Sequence, residues 1–255
     1  MSRNHRAPGT TLRIASILAA IFLAAVHSFA GQDYQDNYFG GPGGKWEIGL
    51  TFGGAFPTGA FRDNLGHDGF SLDLFAGSRL GNSPFTFGLD VFYMIYGLRS
   101  RDEYIGGDIP VQVNVETSNN VLQGLLYLKC QPRNGRMRPY VEVLAGFSYL
   151  YTRTSLSGTE YPYDEIVSDT NFDDTTLCEG GGIGVDILLK RGRRNTSGGR
   201  GSEIRLDFKV RYLLGGRAQY LRDDSILYED GRFTYLYRES ATNLVSAQAG
   251  LLFVF

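Results

Sequence analysis

Alternate residues in the last stretch of the chain, LVSAQAGLLFVF, fall into two classes. Val245, Ala247, Ala249, Leu251, Phe253 and Phe255 form one wholly apolar series, while Ser246, Gln248 and Gly250 interrupt the other. A period of two marks a β-strand whose faces meet different surroundings. The same period recurs upstream and predicts eight strands, at roughly 45–57, 68–80, 85–98, 117–130, 138–153, 175–190, 202–215 and 243–255. No stretch between them has a convincing helical period.

The contrast between the faces is large. Ile204, Leu206, Phe208, Val210, Tyr212 and Leu214 alternate with Glu203, Arg205, Asp207, Lys209 and Arg211. Trp46, Ile48, Leu50, Phe52 and Phe56 oppose Lys45, Glu47, Gly49, Thr51 and Gly53. A soluble sheet also alternates, with its apolar face in a core. Here the apolar face is unbroken on nearly every strand, and the other face mixes charges of both signs with glycine and aromatic residues. That second mixture suits a tight, self-neutralising interior. Asp73, Asp90, Glu142, Asp186 and Asp207 are its acids, with Arg205, Lys209 and Arg211 as their partners, because an unpaired buried charge is strongly destabilising. The pattern predicts an all-β fold, an eight-stranded antiparallel up-and-down transmembrane β-barrel over residues 45–255. Eight strands leave an interior that side chains can fill; Phe75, Phe92, Tyr96 and Tyr140 are available to fill it.

The links point the same way. Long links (57–67, 99–116, 154–174, 216–242) alternate with shorter ones (80–84, 131–137, 191–201), as in barrels with short turns at one end and long loops at the other. The turn QPRNGRMR carries Arg133, Arg136 and Arg138 without an acid, and RGRRNTSGGRG carries Arg191, Arg193, Arg194 and Arg200 likewise. The long link 154–174 has Glu160, Asp164, Glu165, Asp169, Asp173 and Asp174. One end of the barrel is therefore expected to be basic and the other acidic.

Composition agrees: 34 Gly, 16 Tyr and 17 Phe in 255 residues suit β-structure. The charge, 25 basic against 27 acidic residues, indicates no nucleic-acid partner. Cys130 and Cys178 are too few for a disulfide scaffold and are expected on opposite faces of their strands. Arg3, Arg6 and Arg13 precede an apolar run from Ile14 to Val26 and a small-residue site ending at Ala30. This is a signal-peptide pattern over residues 1–30, cleaved after Ala30 and too short to span as a helix. Residues 31–44 read as a flexible periplasmic lead-in.

With the signal pattern, the alternating last strand ending at Phe255, and the phrases RPYVEVLAGFSY and CEGGGIGVDILL, the chain resembles the small eight-stranded outer-membrane barrels of the OmpA/OmpX type. The resemblance implies residence in the outer membrane of a Gram-negative bacterium, among its lipids and lipopolysaccharide. It also implies that Leu251, Phe253 and Phe255 are the signal read by the barrel-assembly machinery. One residue departs from the pattern. With Asp186 inward, Glu179 falls on the lipid face; either a bulge at Gly180–Gly182 resets the register, or Glu179 lies at headgroup level.

Some barrels of this shape are lipid-modifying enzymes that need a histidine. His67 is the only histidine after the signal segment, so a His beside a late-strand Ser is missing; His67, Ser100 and Asp102 could form only a loose outer-loop set. The acids at 160–174 and Asp223-Asp224 are not spaced as a calcium loop, so neither a metal nor a cofactor is indicated. The expected role is structural or surface-interaction, without catalysis. The acidic, Tyr-rich outer loops (Tyr104, Tyr161, Tyr163, Tyr228, Tyr235, Tyr237) are the surface for an extracellular ligand. A narrow ion or small-solute channel and a lipid A-modifying enzyme are the competing readings.

Overall fold

A computed structural model of the chain describes residues 45–105, 111–158, 165–192, 201–229 and 232–255. The signal segment with Ala30, the lead-in, and Glu160, Tyr161, Tyr163, Asp164, Arg193, Arg194 and Arg200 lie outside them. The elements are β1 (Trp46–Pro57), α1 (Ala60–Leu65), β2 (Gly69–Arg79), β3 (Phe85–Ile105), β4 (Val111–Cys130), β5 (Met137–Gly158), β6 (Glu165–Arg191), β7 (Glu203–Gly215), β8 (Arg217–Glu229), β9 (Arg232–Ala241) and β10 (Leu244–Val254). Eight strands close an antiparallel barrel in the order β1-β10-β7-β6-β5-β4-β3-β2, while β8 and β9 form a separate hairpin. Trp46 and Phe255 seal the seam by exchanging backbone hydrogen bonds of 2.8 and 2.9 Å. Closure leaves the body of the barrel without an edge strand.

Every apolar series read from the sequence faces outward. Leu50, Phe52, Leu74, Leu89, Phe147 and Leu251 are among the exposed large side chains, whereas Asp73, Asp90, Arg205, Asp207 and Arg211 are at most 1% exposed. The distribution is the reverse of a soluble protein's. Burying one such side chain contributes about 1.5–3 kcal/mol. Leaving this wall in water would therefore forfeit tens of kcal/mol, against typical stabilities of about 5–15 kcal/mol.

The strands are sheared. One ladder row runs Ile48–Ala76–Leu89–Leu126–Ala145–Glu179–Leu214, from near the foot of β1 to the last turn-distal residues of β7. Such stagger is what closing a tilted sheet requires.

Three expectations need correction. First, the long links are largely sheet: β3, β4, β5 and β6 continue well past the rim, and β8–β9 occupies most of 216–242. Part of that sheet alternates in sequence, Val111, Val113 and Val115 against Gln112, Asn114 and Glu116, but polar and charged residues dominate the rest. The exit of β3 is marked by a register shift between Tyr96 and Leu98, with Gly97 at φ +70°. Second, the first long link contains a helical turn, α1. Gly59 and Gly66 adopt positive φ at its two ends, and the Gly66 N–H donates to the Arg62 carbonyl at 2.8 Å. Six residues are too few to display a helical period. Third, Arg138 is not a turn residue: it lies on β5, faces the lumen and is 1% exposed.

Candidate functional site: the filled lumen and its covered mouth

The inward face of β7 is a ladder of alternating charge, Glu203, Arg205, Asp207, Lys209 and Arg211, and it organises the lumen in tiers. At the turn end, Glu203 accepts from Arg138 at 3.2 Å, Arg205 at 2.8 Å and Arg191 at 2.9 Å. Arg205 also donates to the carbonyls of Gly135 and Arg136, at 3.0 and 3.3 Å. One tier further in, Lys129 pairs with Glu47 at 2.6 Å, and the Tyr127 hydroxyl donates to the same carboxylate at 2.9 Å. Asp207 accepts from the Tyr140 hydroxyl at 2.7 Å, and Asp186 accepts from the Gln131 amide.

The third tier is centred on Arg211. Its guanidinium donates to Glu142 at 2.6 Å, Asp90 at 2.6 Å and Asp73 at 3.1 Å; Lys209 also donates to Asp73. Breaking a buried pair by removing one partner costs about 3–5 kcal/mol, so this tier fixes its strands together more than it adds net stability.

Of the acids and bases expected to pair, Asp73, Asp90 and Glu142 do come together with Arg211. Arg205 instead turns to Glu203, and Asp186 takes a neutral donor. Sequence reasoning missed Glu47, Arg79, Lys129, Arg138 and Glu203 as lumen charges. The signal was present, since each sits on the polar parity of its strand. Seven carboxylates and six cations are buried among the described residues, so the interior is close to self-neutral.

Above the charged tiers the filling becomes uncharged. Gln123 donates to Ser148 at 3.3 Å and Gln248 to Ser71 at 3.1 Å, and Met94, Val121, Leu150, Leu213 and Leu244 pack beside them. The mouth is covered by α1. Phe61 is fully buried, edge-on to Tyr96 of β3 (centroids 5.8 Å) and to Tyr220 of β8 (5.3 Å). Asn64 donates to the Tyr220 hydroxyl at 2.7 Å, and that hydroxyl meets Ser240 of β9 at 2.7 Å. The aromatic filling of the sequence reading is therefore present, with a cover that the sequence did not announce.

On the outside, aromatic residues ring the turn end (Trp46, Phe85, Phe253, Phe255) and the far rim (Phe56, Tyr212). Tyr149 and Tyr151 stack at 5.3 Å on the same face. Leu251, Phe253 and Phe255 all face outward, paired with Leu50, Ile48 and the Trp46 backbone. Glu179 is exposed, and the ladder through Gly180–Gly182 is unbroken on both sides. Its partner Leu214 is one residue from the end of β7, so Glu179 sits at the rim and no bulge resets it.

His67 is exposed in the link between α1 and β2. Ser100 and Asp102 lie on β3, and Tyr104, Tyr228, Tyr235 and Tyr237 on β3, β8 and β9, with side chains outside the described residues. Among the described residues no group of three or more His, Cys, Asp or Glu is placed to hold a metal ion. Cys130 and Cys178 are both free thiols.

No protein-family model matches the sequence, and no curated protein matches it. Solved structures are similar in shape. Neisserial surface protein A is 14% identical over 82% of this chain and 97% of that one, with a TM-score of 0.42. The attachment invasion locus protein Ail of Yersinia pestis is 11% identical over 82% and 99%, with a TM-score of 0.31. A major outer membrane protein from Thermus thermophilus is 13% identical over 82% and 99%, with a TM-score of 0.37. The fold of this chain rests on its own strand pairing, which makes a closed, eight-stranded antiparallel β-barrel.

Proposed function

We propose that the protein is an outer-membrane β-barrel of a Gram-negative bacterium with a structural or surface-interaction role and no catalysis. The observation that supports this most directly is the wall: a continuous apolar surface with aromatic residues towards both rims, around a lumen of paired charges. β10 supplies 11 residues and β1 supplies 12, matching the roughly 9–11 needed to cross a bilayer. Only a helix or a closed barrel satisfies every backbone group in hydrocarbon. Both described termini meet at the turn end through the Trp46–Phe255 pair, and the extended β3–β4, β5–β6 and β8–β9 hairpins project from the other. Those hairpins, acidic and rich in tyrosine, are the surface we assign to an extracellular ligand. Lipid and lipopolysaccharide surround the wall, and the barrel-assembly machinery acts on the closing strand.

The test is twofold. A folded barrel migrates differently on SDS gels before and after boiling and fractionates with the outer membrane; recovery only from the soluble periplasm would sink the reading. Deleting each hairpin tip in turn should abolish surface binding without changing that migration. A narrow channel is the runner-up, but the Arg211 tier and the Phe61 cover weigh against it. Steady single-channel conductance in a planar bilayer would favour the channel. Altered lipid A that reverts in His67→Ala would favour an enzyme.

A further inference from the structure

β6 and β7 bring Asp186 and Asp207 to directly paired ladder positions, both facing the lumen and both 1% exposed. Side chains so placed have Cβ atoms about 4.5–5.5 Å apart, and like charges there repel. The other described lumen acids have close cations: Lys129 for Glu47, Arg138 and Arg205 for Glu203, and Arg211 for Asp73, Asp90 and Glu142. The Asp186–Asp207 pair has only Lys209, which is bonded to Asp73 and stands 4.0 Å from Asp207. Its donors are neutral, the Gln131 amide and the Tyr140 hydroxyl. Asp186 Oδ1 and Asp207 Oδ2 accept no hydrogen bond from the protein.

The charged groups around the pair are already engaged. Lys129 comes from β4 and lies on Glu47 of β1 at 2.6 Å. Arg138 of β5 is the ladder neighbour of Asp186, yet its guanidinium reaches Glu203. On β7 itself, Arg205 bonds Glu203, and Lys209 bonds Asp73, standing 4.0 Å from Asp207. Glu142, Asp73 and Asp90, held by Arg211 in the next tier, only add negative charge. Two opposed carboxylates in a closed, filled interior thus have no cation hydrogen-bonded to either of them.

We propose that Asp186 and Asp207 form a buried seat for one monovalent cation, a proton or an alkali-metal ion, taken up as the barrel closes. The proposal rests on the barrel's register and not on where the barrel resides, so it can fail while the membrane reading stands.

The test uses the full chain refolded into detergent micelles, with folding scored by gel migration before and after boiling. Thermal unfolding is compared in sodium, potassium and choline chloride at equal ionic strength, and infrared spectra are taken for the carbonyl band of a protonated carboxyl. If an alkali ion fills the seat, sodium or potassium stabilises the wild type over choline. A tenfold rise in that ion then raises the folded-to-unfolded ratio by up to about tenfold. If a proton fills it, the carboxyl band is present at neutral pH whatever the salt. Either signal should vanish in Asp186→Asn and in Asp207→Asn. A wild type with neither signal overturns the proposal, as does a signal that survives both substitutions. The wild-type measurements decide the matter even if a variant fails to fold.

Discussion

Arg211 and Glu142 pair across an intervening strand, because the residue between them is Gly182. The ladder row reads Glu142–Gly182–Arg211 across β5, β6 and β7, and the guanidinium crosses it to the carboxylate at 2.6 Å. A Cβ at Gly182 would lie 2.8 Å from Arg211 Cγ and 2.9 Å from Glu142 Oε1. Gly182→Val should therefore destabilise the barrel by about 1–3 kcal/mol through overpacking. Urea unfolding in micelles, followed by tyrosine and tryptophan fluorescence, checks this; an unchanged midpoint would refute it.

Arg211→Leu leaves Asp73, Asp90 and Glu142 facing one another, with Lys209 on Asp73 as the one cation still bonded to them. The expected loss is about 3–5 kcal/mol. Arg62→Leu, which breaks the exposed Arg62–Asp68 pair, should cost about 0–1 kcal/mol in the same assay.

Depth separates two wall positions. Val210 is outward-facing near the middle of β7, and Glu179 lies at the rim beside Leu214. Val210→Arg should cost about 2–4 kcal/mol when the barrel is folded in lipid vesicles, whereas Glu179→Gln at the interface should change stability by about 1 kcal/mol or less. Equal effects in equilibrium unfolding from vesicles would contradict the assigned depth.

Phe61 tests the cover. Phe61→Ala removes the ring that bridges Tyr96 and Tyr220, at a local cost of about 3–5 kcal/mol. Limited proteolysis should then cut faster within 58–68, while gel migration still reports a closed barrel. Cleavage at the wild-type rate would show that α1 is held by other contacts.

Deleting Phe255 removes one half of the Trp46–Phe255 seam. If the terminal aromatic also serves as an assembly signal, the folded fraction should fall further in cells than in refolding to micelles. Equal losses would confine Phe255 to the seam.

The strand periods were legible because face assignment is local: consecutive side chains point to opposite sides, so Ile204 to Leu214 declare themselves without any partner. The extensions of β3 to β6 were not, since a short rhythm such as Val111, Val113 and Val115 amid mostly polar residues does not mark where a strand ends. Nor was α1, whose two buried residues, Phe61 and Leu65, gain meaning only from the mouth they cover. Glu179 could be placed outside but not at a depth, because depth depends on shear.

The sequence by itself therefore determined the fold class, the inside-out polarity and the strand parity that carries charges into the lumen, all properties of one strand at a time. Tertiary structure alone decided their pairing. Arg211 finds Asp73 at a separation of 138 residues and Asp90 at 121, and Arg205 turns to Glu203 two residues away. Closure and stagger set which side chains share a tier, and that geometry also leaves Asp186 and Asp207 facing each other.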